Sequence, residues 1–343
     1  MKAYADPAHH LHTPRFFLMR GRLHPNYEVP DRAESLLVGL ASLGITPDPP
    51  KPAPHTMLEA VHAPEYLDFL RDAPAQWAAL PGVGEELVAN IHPSPEMIAQ
   101  GGFAGPHPVA ALGRFTADTA CPIGPGTWQA ALGAAACALA AAEEAAAGRT
   151  AYALCRPPGH HAYAARAGGH CYLNNAAIAA QALRRAGAAR VAVLDIDSHH
   201  GNGTQGIFWE RGDVLTVSIH ADPDRYYPWY VGRAGEHGAG EGAGRNLNLP
   251  LPFGTGDEGW LDAVSAGLAA VRDFRADALV VSLGFDASEH EPLTALAVTR
   301  DGFGRAAASI SATRLPTAIV QEGGYNVDLL GALLARFLEN WSA

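Results

Sequence analysis

Five short apolar runs recur along this chain, at Ala151 to Cys155, Val191 to Asp195, Val214 to His220, Ala278 to Leu283 and Thr317 to Gln321. Each is too short for a helix and too apolar to face water on either side. Alanine-rich or amphipathic stretches separate them, predicting helices over Gly126 to Gly148, Asn175 to Ala186, Asp257 to Phe274, Asp301 to Thr313 and Val327 to Asn340. Buried strands alternating with helices make a parallel sheet covered on both faces, an α/β fold. Upstream, Met1 to Asp6 reads as a short strand. Ala33 to Leu43 reads as a helix capped by Asp31 and stopped by Gly44, and Ala63 to Arg71 as another.

No repeat divides the 343 residues, and 48% of them are hydrophobic, so residues 1–343 read as one catalytic-sized unit. Two segments interrupt the periodicity. Ala75 to Ile123, with LPGVG, HPSPE and GGFAGPHP, reads as a long loop insertion over a site mouth or a partner subunit. Ala221 to Gly256 reads as a loop carrying Tyr226, Tyr227, Trp229 and Tyr230.

Polar residues recur where these strands stop, and in a parallel sheet those ends share one edge, where ligand sites are built. In VAVLDIDSHHGNGT, extended backbone would turn Asp195, Asp197 and His199 to the same side. Asp197, His199 and Asp286 make a three-ligand set of two carboxylates and an imidazole, suited to a catalytic zinc with positions left open. Iron, cobalt or manganese would also fit such oxygen-rich ligation. The pair His160-His161 follows a Pro-Pro-Gly turn and suits proton transfer. His161 is the expected general base and later acid, with His160 held by Asp195 in an electrostatic role. Tyr325, presented by Gly323-Gly324, is placed to donate its hydroxyl to a developing oxyanion. Singly, each is an ordinary turn or cap residue; together, five strand ends carry compatible chemistry.

The formal charge of −11 and pI near 5.8 argue against nucleic acid as a partner. Cys121, Cys137, Cys155 and Cys171 form no Cys-x-x-Cys pair, so a reducing cytoplasm is expected rather than a disulfide framework. No apolar run is long enough to span a bilayer, and no membrane partner is expected.

RPPGHHA, GGHCYLNNAA, LDIDSHHGNGTQ, SLGFDASEHEPL and QEGGY, in this order, resemble the motif set of the histone deacetylase superfamily over nearly the whole chain. GPGTWQAA, FWERGDV and HADPDRYYP look most like its bacterial acetylpolyamine amidohydrolases. The resemblance implies an arginase/deacetylase-type three-layer fold with a central, mainly parallel eight-stranded sheet. It implies zinc-dependent hydrolysis of a small acylated amine to acetate and free amine, with zinc on Asp197, His199 and Asp286. It also implies potassium near Asp195, Asp197, His199 and Ser218, a second potassium held by backbone near Phe208 and Val214, and Asn202 orienting His161. A homodimer closed by the insertion is expected, with His170, Tyr227, Gly169, Gly323 and Asp118 around the substrate.

Three positions depart from the family pattern. His170 stands where Phe or Tyr is usual, Glu291 where Asp is usual, and Ala120 where an acidic residue would grip a polyamine, with Asp118 nearby. The same machinery would serve acetyl-lysine or other small N-alkyl or xenobiotic amides. A non-catalytic protein binding an acetylated ligand is opposed by the intact Tyr325 and histidines. A manganese ureohydrolase would want more carboxylate ligands.

Overall fold

In the computed structural model, which describes residues 1–102, 105 and 107–341, nine strands lie in two sheets. They are β1 (Lys2–Ala5), β2 (Phe16–Met19), β3 (Arg22–Pro25), β4 (Thr150–Leu154), β5 (Val191–Asp195), β6 (Val214–Ala221), β7 (Asn246–Leu251), β8 (Ala278–Leu283) and β9 (Thr317–Gln321). Seven form one sheet in the order β1-β4-β9-β8-β5-β6-β7, all parallel. Eight strands are expected; the sheet has seven among the described residues. β2 and β3 pair antiparallel as a separate ribbon.

The helices are α1 (Asp31–Ser42), α2 (His55–Leu58), α3 (Pro64–Ala78), α4 (Pro95–Ala99), α5 (Pro108–Phe115), α6 (Thr127–Ala146), α7 (Asn175–Arg185), α8 (Asn202–Phe208), α9 (Asp257–Phe274), α10 (Arg300–Ser311) and α11 (Val327–Glu339). Strand side chains alternate between two apolar layers. Val191 and Val193 of β5 join the cluster under α6 and α7, whereas Ala192 and Leu194 join the one under α1, α9, α10 and α11. Alanine along α6 lets that helix lie close to the sheet, and 15 of its 20 residues are buried.

Three local differences from the sequence reading have physical causes. Asp31 sits inside the first turn of α1; Pro30 occupies the cap position and makes no side-chain cap bond. β7 lies within the segment read as the loop Ala221 to Gly256. Its Pro250 is tolerated because the strand is at the sheet's edge. The Ala75 to Ile123 segment contains the end of α3 and the short helices α4 and α5, opened by the Pro residues that made it read as loop. The ribbon turns at Arg20 and Gly21, both at positive φ, 50° and 75°, a conformation an arginine rarely signals.

Candidate active site

The carboxyl ends of β4, β9, β8 and β5 are neighbours in the sheet, so the segments leaving them meet at one rim. Asp197 and His199 leave β5, Asp286 leaves β8, Tyr325 leaves β9, and His160 and His161 leave β4. His199 Nδ1 lies 3.1 Å from Asp197 Oδ1 and 3.0 Å from Asp286 Oδ2. All three side chains are buried.

The remaining lone pairs of the carboxylates are aimed by backbone. Asp197 Oδ2 accepts from Gly323 N at 2.8 Å, Asp197 Oδ1 from His199 N at 2.8 Å, and Asp286 Oδ1 from Ser198 N at 2.7 Å. Gly323 must be glycine, because a Cβ there would strike both Asp286 and Asp197. Two buried carboxylates in one pocket favour a cation or a shared proton, and burial and Asp197 raise the Asp286 carboxyl above its ordinary value. Although burial opposes it, Asp286 and Asp197 push the His199 imidazole up to about 9, a measure of how strongly the pocket calls for positive charge. The donor set fits a divalent ion: one imidazole nitrogen and two carboxylate oxygens converge within 4.8 Å of one another.

The adjacent histidines are driven in opposite directions. His160 Nδ1 lies 2.9 Å from Asp195 Oδ2, and against the effect of burial Asp195 and Asp197 hold its pKa well above the ordinary value. His161 Nδ1 lies 2.6 Å from Asn202 Oδ1, while burial, His160 and His199 hold its pKa well below. A charged and a neutral imidazole side by side is the division that acid–base chemistry uses. Burial raises the Tyr325 hydroxyl well above the ordinary value, so it stays a donor.

His161, His199, Tyr325, His170, Gly169, Tyr227 and Asp118 line one cavity of about 270 Å³. His170, at φ 67°, packs 5.6 Å from Phe17 and 5.8 Å from Tyr325, and burial holds its ring neutral by lowering its pKa to about 4. Tyr227 stands edge-on to His161 at 4.8 Å and donates its hydroxyl to Asp118 Oδ2 at 2.6 Å. Asp118 also accepts from Ala120 N at 2.8 Å and Gly169 N at 3.1 Å. Gly169, at φ 52°, leaves room for the His161 ring that a Cβ would strike. Asp195 and Ser218 are register partners across β5 and β6. Phe208 ends α8, with its carbonyl accepting from Arg211 N at 3.0 Å, and Val214 opens β6.

Sequence reasoning missed several residues here. Phe17, Leu18, Met19 and Arg20 of the β2–β3 ribbon form a cavity wall, with Tyr226, Trp229 and Leu293 beside them. Tyr226 stacks on the His199 ring at 4.4 Å. Glu322 Oε2 accepts from Gly159 N at 2.7 Å and His160 N at 3.1 Å, fixing the Pro-Pro-Gly turn; its place directly before Gly323-Gly324 was the available signal. Glu291 accepts from Tyr325 N at 2.6 Å and Asn326 N at 3.4 Å. Glu236 accepts from Gln205 Nε2 at 2.8 Å and Gly232 N at 2.9 Å, tying the segment that carries Tyr226 and Tyr227 to α8.

The histone deacetylase domain family matches residues 24–341. An acetylpolyamine amidohydrolase of Burkholderia pseudomallei is 47% identical over 100% of this chain and 99% of its own length. One from Mycoplana ramosa is 39% identical over 99% of each chain. A crystal structure of the acetylpolyamine aminohydrolase from Burkholderia pseudomallei superposes with a TM-score of 0.95 at 46% identity, covering 100% of this chain and 99% of the other. The HDA15 HD domain gives 0.81 at 28% identity, covering 99% and 90%.

Proposed function

The chain belongs to the histone deacetylase family, and from that premise we propose that it hydrolyses the amide of small N-acetylated amines, acetylpolyamines foremost. The observation that carries this reading is the convergence of Asp197 and Asp286 on His199, which lines one cavity together with His161 and Tyr325. A divalent ion bound by the three ligands, zinc in our reading, supplies Lewis acidity for the amide carbonyl and lowers the pKa of water.

His161, neutral and oriented by Asn202, takes the proton as water adds to the carbonyl carbon. Tyr325 donates its hydroxyl to the oxygen on which charge develops. His160, charged and held by Asp195, stabilises that charge at short range. His161 then returns its proton to the leaving nitrogen as the C–N bond breaks, giving acetate and free amine.

The reading includes potassium beside Asp195 and Ser218, in keeping with their facing positions on β5 and β6, and a second ion near Phe208 and Val214. It also includes a homodimer, for which exposed Ile91, Met97 and Ile98 offer an apolar face. Four free, buried cysteines suit a reducing cytoplasm, and no described helix is long and apolar enough to cross a membrane.

His161→Ala should lower turnover by about 10²–10⁴ while metal content holds; unchanged turnover with acetylpolyamines would remove His161 from the mechanism. A panel of acetylpolyamines, acetyl-lysine peptides and N-alkyl amides on metal-defined protein tests the substrate. The mostly apolar and aromatic wall admits small neutral amides, and their faster hydrolysis would displace the polyamine reading.

A further inference from the structure

We propose that His9, His10 and Glu34 form a second site for a zinc-like divalent transition metal, on the surface and separate from the rim. His10 Nε2 lies 3.3 Å and His9 Nε2 3.8 Å from Glu34 Oε1, and the three ligand atoms fall within 4.8 Å of one another. A tetrahedral ion with bonds of about 2.0–2.2 Å needs ligand atoms roughly 3.3–3.6 Å apart, so small side-chain movements complete the geometry. None of the three lines the catalytic cavity.

Adjacent histidines on an extended segment would point to opposite sides. Here they lie on a short 3-10 turn, Pro7–Leu11, capped by the Asp6 side chain accepting from Ala8 N at 2.8 Å. The turn brings the two rings together, with centroids 3.9 Å apart and planes tilted by 38°. The same core holds both sides of the site. The His9 carbonyl accepts from Arg156, and Glu34 is two residues along α1 from Arg32; both arginines pair with Glu28.

His9 is buried, the least exposed of the three. His10 and Glu34 are about half exposed, leaving the remaining coordination positions to water. One carboxylate with two imidazoles neutralises less of a divalent charge than the two carboxylates at the rim, so this site should fill after the rim site.

The alternative is an ordinary surface contact between His10 and Glu34. The two are separated by dialysing the whole protein against stepped free Zn²⁺ and counting ions per chain for wild type, His10→Ala and Glu34→Gln. Wild type should take up one more ion per chain than either variant, whatever the rim holds. Its thermal midpoint should rise with that last ion while those of the variants do not. Equal ion counts in wild type and variants overturn the assignment. So does a later ion that both variants retain, since it must lie elsewhere.

Discussion

Two charge clusters are sealed inside this protein, and they are unbalanced in opposite senses. At the rim, two carboxylates share one imidazole, and the hydrogen bonds they receive leave a shortage of positive charge. Beneath it, two arginines share one carboxylate: Glu28 lies 2.6 Å from Arg32 Nη1 and 2.8 Å from Arg156 Nη2. The surplus positive charge there is absorbed by main-chain carbonyls. Arg32 donates to Gly324 O at 2.5 Å and Glu322 O at 2.7 Å, and Arg156 to the carbonyls of His9 and of His12, the latter at 2.7 Å. Backbone can satisfy a guanidinium with its five donors, but it cannot supply a cation to a carboxylate pair. The first cluster is therefore suited to receiving an ion and the second to holding still. Arg32 joins them, since it grips the backbone on either side of Gly323 and lies 4.8 Å over the Tyr325 ring.

The contrast is tested most severely at the rim. Asp286→Ala should abolish turnover and empty the rim metal site while the fold persists, read by metal analysis and circular dichroism; retained metal and turnover would mean the carboxylate pair is not what draws the ion. Glu28→Gln, by contrast, should act on stability, costing about 3–5 kcal/mol by leaving two buried guanidinium groups without their anion. Burial alone would raise the Glu28 carboxyl, yet Arg156 and Arg32 hold it below its ordinary value of 4.5. A depressed folded-state value means the contribution is present at neutral pH and lost as pH falls from about 4.5 downward. The stability gap between wild type and Glu28→Gln, followed by denaturant unfolding against pH, should close over that range; a constant gap would break the contrast.

Glu291→Ala should sharpen it. Loss of the acceptor for Tyr325 N should let the hydroxyl drift and lower kcat by up to about 10² with KM little changed. A matching loss in KM would instead place Glu291 in substrate binding. The smallest effect is expected at the wall. His170→Tyr should shift the ratio of kcat/KM between acetylpolyamines and neutral amides by roughly tenfold, about 1.4 kcal/mol, with little change in thermal midpoint. A collapse of stability would make His170 a packing residue.

The rim was legible because its signals are local: an apolar run, then a carboxylate or imidazole at its end. Val191 to Asp195 and Ala278 to Leu283 coincide with β5 and β8, and Asp197, His199 and Asp286 follow directly. The arginine cluster was not legible, because Arg156 reaches Glu28 and Arg32 from a segment more than a hundred residues away, and each of the three alone resembles a surface charge. The cavity wall was hidden for another reason. β2 and β3 are four residues each, joined through an arginine in a left-handed conformation, and little in Phe16 to Pro25 distinguishes them from loop. Glu291, marked only as a departure from a family pattern, acquires a meaning once its contact with Tyr325 N is seen.

The β2–β3 ribbon hydrogen-bonds to neither edge of the main sheet, yet it places Phe17 to Arg20 along the wall of the cavity that His161 and Tyr325 also line. On the proposed reading, bond cleavage and reactant choice rest on separable hardware. A graft of ten residues between Phe16 and Pro25 could retool what enters without disturbing the machinery that cuts.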